Sequence, residues 1–259
     1  QSGHYYGITI KATDDAGNVT TKDATDSAIG SSLRLTVKEK AAPVITVTNP
    51  TASATLTNNK PTITWSVTDD DSGVNPSTIG ITIDSGSKIT DGITKTAVTG
   101  GYNCSYIPAT ALTDGSHTIR FDASDYDGNA ASQKSVTFKI DTVPPTLSVT
   151  SPSDGYVTNK STITVSGTTN DATSSPVTVT VNGASVTVGS NGAFSTTVTL
   201  SAGTNTINIV AKDSAGKTTT ITRTVKYDPN PPKITAASVT PNPVDAGKTY
   251  VISVTVTDD

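Results

Sequence analysis

The sequence predicts an all-β chain that repeats one small β-sandwich domain in tandem. An Asp-x-x-Gly motif recurs at Asp14, Asp125 and Asp213, each time behind an alternating apolar segment. Alternation with a period of two residues indicates a half-buried strand, and the Gly supplies the positive φ of the hairpin turn that follows. β-branched Thr, Val and Ile are frequent, which favours pleated sheet over helix. The alternating residues are Ile8, Ile10 and Ala12; Ile119, Phe121 and Ala123; and Ile207, Ile209 and Ala211.

The spacing of the repeats predicts the domain organisation. The three motifs lie 111 and 88 residues apart, which suits a sandwich of about 100 residues rather than a propeller blade or a solenoid coil. We predict the C-terminal part of a first domain in residues 1–40 and complete domains in residues 41–141 and 142–228. The N-terminal part of a further domain is predicted in residues 229–259. The chain is therefore expected to be an internal segment of a longer polypeptide.

Individual strands follow from the same patterns. Asn182-Gly183 between alternating Val residues predicts a type I′ hairpin. Near the end of the chain, Ile252, Val254 and Val256 are predicted to point inward. The paired prolines in the links at 141–146 and 228–233 favour extended backbone, so we expect the domains to form an elongated rod. In the second domain, strands are predicted near residues 43–48, 61–68, 78–84, 102–107, 116–124 and 134–140.

Residues 142–228 resemble the tandem bacterial immunoglobulin-like (Ig-like) domains of surface adhesins, secreted glycan hydrolases and phage or prophage tail proteins. The similar features are the Asn182-Gly183 hairpin, the Gly203 to Ile207 strand start, the Asp213 to Gly216 turn and the last strand ending at Asp228. Residues 41–141 share the features less fully, because about a dozen extra residues interrupt their middle strands. The resemblance implies an Ig-like sandwich that serves as a spacer or a ligand-presenting module, with no catalytic residues to carry over.

Composition excludes several functions. A net charge of −4 and scattered Lys and Arg argue against nucleic acid as a partner. No apolar stretch approaches the ~20 residues of a membrane helix, so no membrane insertion is expected. The single Cys104 cannot form an internal disulfide and is predicted to be a small inward-facing side chain. His117 is interpreted as a surface or rim imidazole, and Tyr126 as an exposed hairpin tip. Since no nucleophile or acid pair accompanies them, the segment is predicted not to be an enzyme.

Aspartates form the sharpest candidate site. In the predicted topology, two loops of the second domain meet at the end where the chain enters, beside Glu39. These loops bring Asp69, Asp71, Asp125 and Asp127 together as candidate calcium ligands, because calcium takes 6–8 oxygens. Asp171 and Asp213, near Asp141, repeat this arrangement more weakly. The alternative is that each Asp only accepts backbone hydrogen bonds in its own turn. No cofactor is required in either case.

Three functions remain open at this point. The favoured one is a stalk that presents a binding head from a bacterial surface or a phage tail, with neighbouring domains of the same polypeptide as its partners. The second is an adhesive module that binds a glycan or a cell-surface protein through its loops. The third is a homo-oligomer in which strands from one chain complete the partial domains of another. All three predict an extracellular or virion location.

Overall fold

The protein is described by a computed structural model that covers residues 5–36 and 38–258. The chain forms two compact units, residues 1–142 and 143–259. Strands of these units form antiparallel sheets apart from two short parallel pairings, and no α-helix occurs among the described residues. The domain boundaries given above remain predictions.

The first described segment contains two small, separate β-sheets. A short strand pairs with the last strand of the segment, and a hairpin lies between them around the Asp14 turn. Ile8 and Ile10, predicted to face a core, are 45% and 50% exposed. The prediction is wrong because, within the part of the chain that the structure describes, no second sheet packs on these two-stranded sheets. The elements are β1 (Tyr5–Gly7), β2 (Ile10–Thr13), β3 (Val19–Lys22), a 3₁₀ helix (Gly30–Leu33) and β4 (Arg34–Thr36).

Two four-stranded sheets form a sandwich in the rest of the first unit, called here the first sandwich. Their strand orders are β5-β7-β10-β9 and β6-β12-β11-β8. All six strands predicted for this region are present. Two further strands were not predicted: the short β6, and β9 in the extra segment of the middle strands. The strands are β5 (Val44–Asn49), β6 (Thr55–Leu56), β7 (Ile63–Thr68), β8 (Val74–Ile83), β9 (Thr94–Val98), β10 (Gly101–Tyr106), β11 (Gly115–Asp125) and β12 (Lys134–Ile140).

The core of the first sandwich lies between these two sheets. Ile119, Phe121 and Ala123 alternate inward along β11, as the sequence predicts. Trp65 is 2% exposed, and its ring packs against Phe121 at a centroid distance of 5.3 Å and an interplanar angle of 60°. Cys104 lies opposite Trp65 across the β7–β10 pair and is buried, so its predicted inward position is confirmed.

The second sandwich occupies most of the second unit. Its sheets have the orders β13-β15-β18 and β14-β20-β19-β16-β17. Asn182 (φ 49°) and Gly183 (φ 82°) form the predicted left-handed turn between β16 and β17. Ile207, Ile209 and Ala211 are fully buried. The strands are β13 (Thr146–Ser151), β14 (Tyr156–Thr158), β15 (Thr162–Asn170), β16 (Thr178–Val181), β17 (Ala184–Val186), β18 (Ala193–Thr199), β19 (Gly203–Lys212) and β20 (Thr218–Tyr227).

A two-stranded hairpin ends the described chain. It consists of β21 (Lys233–Thr240) and β22 (Val251–Thr257) in antiparallel pairing. Ile252, Val254 and Val256 are 60%, 52% and 55% exposed, so the prediction that they point into a core is wrong. Their alternation is that of a sandwich strand, but no second sheet covers the hairpin within the described residues.

Candidate functional site

The three Asp-x-x-Gly turns share one backbone arrangement. In each, the Asp N–H donates to the carbonyl four residues later, and the N–H of that residue donates to Asp Oδ1 at 2.8 Å. The Gly residues have φ of 86°, 94° and 93° at Gly17, Gly128 and Gly216, as the turn requires. The sequence predicted the positive φ, and it offered the local role of the Asp as the alternative to a calcium site. This hydrogen bonding occupies one carboxylate oxygen in each copy and leaves the other for a further partner.

Three acids converge at one end of the first sandwich, and we call Glu39, Asp69 and Asp125 the carboxylate cluster. Asp69 follows β7, Asp125 ends β11, and Glu39 lies in the segment that precedes β5. One carboxylate oxygen from each residue lies within 4.8 Å of the others. Loops from two different sheets therefore bring acids together with the incoming chain, as the topology predicted.

Hydrogen bonds hold the cluster in place. Ser72 donates from its N–H (3.1 Å) and its hydroxyl (2.6 Å) to Glu39 Oε1. Asp69 Oδ1 accepts from the N–H of Gly73 at 2.8 Å, and the Asn129 amide donates to Asp125 Oδ2 at 2.6 Å. Glu39 Oε2 is buried with no hydrogen-bond partner. The cluster is thus well ordered, but one of its oxygens has no donor.

Asp125 stays ionised despite its burial. Burial raises the pKa of its carboxyl group, but hydrogen bonds from the Asn129 side chain and backbone and from the Gly128 backbone outweigh this effect and bring the pKa below its ordinary value. In the described part of the chain, no salt bridge joins the cluster to a Lys or Arg. The nearby Lys38 ammonium instead donates to the Asp127 carbonyl at 3.4 Å, so the cluster brings carboxylates together without a salt bridge.

The predicted ligand set and the observed cluster overlap in two residues. Asp69 and Asp125 belong to the cluster, whereas Asp71 and Asp127 lie outside it. Asp127 instead accepts from the backbone N–H of Glu39 at 3.0 Å, and the Asp71 N–H donates to Asp69 Oδ1. Glu39 was expected nearby but was not among the predicted ligands. Its position in the segment that leads into the first sandwich, as the only glutamate of the chain, was the available signal.

Two acids of the second unit occupy equivalent loops. Asp171 follows β15 and Asp213 follows β19, and the two residues are 9% and 5% exposed. One carboxylate oxygen of each lies within 4.8 Å of the other. The loop pair that carries the cluster in the first sandwich therefore also brings acids together here.

His117 is buried, which corrects its interpretation as a surface or rim residue. It is 6% exposed, and its ring packs near that of Phe138 at a centroid distance of 5.9 Å. Nδ1 lies 2.8 Å from Asp84 Oδ2, and Nε2 lies 2.7 Å from the carbonyl oxygen of Thr113. Both partners are acceptors, so the geometry suits a protonated ring that donates from both nitrogens. This arrangement stabilises a fold and offers no free nitrogen as a general base.

The pKa of His117 agrees with this geometry. Burial lowers it, but the hydrogen bonds to the Thr113 carbonyl and to Asp84, together with the Asp84 charge, raise it above the ordinary value. For Cys104, burial raises the pKa of the thiol to about 11, and the charge of Lys95 lowers it only in part. A thiol with so high a pKa is a poor nucleophile at neutral pH. Neither residue has the properties of a catalytic group.

Tyr126 is exposed, as predicted, whereas Trp65 is buried. Tyr126 is 63% exposed in the loop after β11, and Trp65 is a core residue. A glycan-binding face needs an exposed aromatic platform, and this loop provides a single tyrosine.

No helix among the described residues has the length and apolar character to cross a bilayer.

Comparisons with known proteins match each sandwich to a family. Residues 43–121 match the model of a bacterial Ig domain, and residues 145–228 match the model of glucodextranase domain B. Bacillopeptidase F of Bacillus subtilis (strain 168) is 34% identical over 129 residues, which is 50% of this chain and 8% of that protein. The matched part of this chain thus spans less than a tenth of the length of that relative.

Two solved structures are also compared with this chain, each at low sequence identity. An I-band fragment from titin is 12% identical, with a TM-score of 0.49, and the match covers 85% of this chain and 77% of that one. The fibronectin(III)-like modules of Clostridium thermocellum CbhA are 17% identical, with a TM-score of 0.40, over 71% of this chain and 94% of theirs.

Proposed function

We propose that this chain, which carries tandem bacterial Ig-like domains, is a non-catalytic spacer in an extracellular bacterial protein or a phage tail. In this role it presents another part of its parent protein at a distance from the surface. A spacer needs stable domains and links whose path is fixed. Both sandwiches have closed apolar cores, which supports the first requirement.

The observation that carries the proposal is the attachment of the incoming segment to the first sandwich. The Glu39 N–H donates to Asp127 Oδ2, and the Asn129 amide donates to the Glu39 carbonyl at 3.2 Å. The Glu39 side chain accepts from Ser72 in the other loop. Glu39 is therefore held through its backbone and its side chain by two loops, so the chain before β5 has a fixed direction. Two or three such bonds each contribute about 0.5–1.5 kcal/mol, and more where a charged group takes part.

The first test measures the overall dimensions of the full chain in solution. A compact globule of this length would have a radius of gyration of about 18 Å. For a spacer we expect small-angle X-ray scattering to give a value well above that figure. A radius of gyration close to that of the compact globule would overturn the proposal.

The second test measures whether the incoming segment is rigid. We expect the Glu39 amide to have an NMR order parameter near the ~0.85 of ordered backbone. Asp127→Ala should lower it, because the variant removes the acceptor of the Glu39 N–H. Asp91→Ala, at an exposed aspartate of the same unit, is the matched control and should leave it unchanged. A Glu39 amide that is already mobile in the wild-type chain would contradict the proposal.

A second candidate function is calcium binding at the carboxylate cluster, where a cation would strengthen the same attachment. The unpartnered Glu39 Oε2 and the concentration of negative charge favour it. Calcium bound there should raise the melting temperature of the first sandwich, and Glu39→Gln should abolish that rise. The control Asp91→Asn changes the same charge at an exposed position of the same unit and should preserve the rise. Calorimetric titration without heat, together with an unchanged melting temperature, would reject this function.

A further inference from the structure

Asp213 has a buried carboxylate oxygen without a partner. Its Oδ1 accepts from the Lys217 N–H at 2.8 Å, whereas its Oδ2 is buried and has no hydrogen bond. In the other two turns, the residue at this position is Asn18 or Asn129, whose amide donates to Oδ2 of the Asp. Lys217 replaces that Asn and leaves the oxygen unpartnered. A buried carboxylate oxygen without a donor is costly, so this oxygen would gain from a cation or another donor.

The neighbouring loop supplies a second carboxylate and a second unpartnered oxygen. Asp171 Oδ1 accepts from the N–H groups of Thr173 (2.8 Å) and Ser174 (2.6 Å). Ser174 is 2% exposed, and its hydroxyl is buried with no hydrogen-bond partner. The Ser174 carbonyl accepts from the Ser214 N–H at 3.2 Å, so this loop is attached to the Asp213 turn. Two unpartnered oxygens thus occur within one pair of joined loops.

The spacing of the acids suits a hard cation. Two calcium–oxygen bonds of about 2.4 Å span at most about 4.8 Å between the oxygens, and one carboxylate oxygen of Asp171 lies within that distance of one of Asp213. No salt bridge to Lys or Arg reaches either acid in the described part of this unit. We propose that Asp213, Asp171 and the Ser174 hydroxyl bind a divalent cation of the calcium type. Water or backbone carbonyls would complete its coordination.

The test uses the full chain, first stripped of metal with EDTA. We expect calcium chloride to cause saturable shifts of the Thr173, Ser174 and Asp213 to Lys217 amides in ¹H–¹⁵N spectra. The titration should extend to about 10 mM, since extracellular calcium modules bind with dissociation constants of about 10⁻⁴–10⁻³ M. A magnesium titration compares the two cations. Weaker shifts with magnesium would support the calcium type, and preferential binding of magnesium would overturn it.

Asp213→Asn is the decisive variant. The Asn oxygen still accepts from Lys217, so the turn is preserved, but the second carboxylate oxygen is lost. We expect this variant to lose the calcium shifts and the calcium-induced rise in melting temperature. In EDTA it should melt no lower than the wild type, because it lacks the unpartnered charge. The control Asp154→Asn removes the same charge in the same unit, where Asp154 accepts from Thr224, and should bind calcium normally.

Two results would overturn the proposal. One is the absence of saturable amide shifts in the wild-type chain up to the highest calcium concentration. The other is that calcium shifts the amides of Asp213→Asn as much as those of the wild type. If Asp213→Asn does not fold, Ser174→Ala provides a second test, and it should weaken binding at least several-fold. An unchanged affinity in Ser174→Ala would remove the hydroxyl from the site. The amides reporting here differ from those of Ser72 and Asn129 at the carboxylate cluster, and the spacer proposal is judged separately by scattering.

Discussion

The two sandwiches use the same strand register with different side chains. Trp65 lies opposite Cys104 in the first, and Val165 lies opposite Thr196 in the second. The first core contains three large aromatic rings, whereas Phe194 is the aromatic residue of the second buried cluster. The fold therefore depends on the inward alternation and on the turn residues, and the core can be filled in more than one way.

The Asp-x-x-Gly turns of the two sandwiches share a backbone geometry but differ in one side chain. Asp125 and Asp213 have the same backbone partners, but Asn129 satisfies the second oxygen of one, and Lys217 leaves that of the other without a donor. The backbone geometry of the turn therefore does not determine whether the second carboxylate oxygen of the Asp has a hydrogen-bond donor. A single side chain decides whether this end is a closed hydrogen-bonded cap or a candidate cation site.

The largest effect is expected in the core of the first sandwich. Phe121→Ala should reduce its free energy of unfolding by about 3–5 kcal/mol, because it removes a fully buried ring that packs on Trp65. Trp65 is the only tryptophan, so its fluorescence during urea unfolding reports on this sandwich. The control is Ile209→Ala in the second core, which should leave the Trp65 midpoint unchanged. A similar shift of the midpoint in both variants would contradict two separate cores.

Exchanging the residues after the turns should have an intermediate effect. Asn129→Ala leaves Asp125 Oδ2 without its donor and should destabilise the first sandwich by about 1–3 kcal/mol. Lys217→Asn offers Asp213 the donor that it lacks, and in EDTA it should stabilise the second sandwich by about 0.5–1.5 kcal/mol. Urea unfolding followed by circular dichroism measures both. Destabilisation by Lys217→Asn would show that the second turn does not accept the arrangement of the first.

A smaller effect is expected from pH, through His117 in the first sandwich. Its pKa is raised in the folded state, so its stabilising contribution is complete below the ordinary His pKa of about 6.5 and is lost as pH rises through the folded pKa. The Trp65 midpoint in urea should therefore fall between pH 6 and pH 8.5. His117→Gln should remove this dependence. An NMR titration that gives His117 a pKa below the ordinary value would refute the prediction.

The smallest effect is expected for Cys104, which has Thr196 as its counterpart. Because burial raises the pKa of the thiol to about 11, it should not react with a thiol reagent at pH 8 while the protein is folded. In urea it should react completely. The reaction can be followed by absorbance with Ellman's reagent, and rapid labelling of the native protein would show that the β7–β10 pair opens readily.

Local patterns in the sequence were sufficient for most of the fold. Alternation identified the strands around Phe121 and Ile209, and Asn182-Gly183 identified a hairpin, because these signals act between neighbours in the chain. The extra segment that contains β9 was not assigned as a strand from the sequence, because this strand is mostly exposed and shows no apolar alternation, although it pairs with the neighbouring β10. The exposed Ile252 shows the same limit, because alternation specifies which residues share a face and not whether another sheet covers it.

For the candidate sites, too, some features follow from the local sequence and others only from the tertiary structure. The sequence by itself determined the repeated sandwich, the turns and the Asp residues at their ends, because φ preferences and side-chain alternation are encoded within a few residues. Only the tertiary structure decided that Glu39 joins Asp69 and Asp125, that His117 is buried between two acceptors, and that Asp213 lacks a donor. The physical reason is that hydrogen-bond satisfaction and burial depend on groups brought together from distant parts of the chain, which no local pattern records.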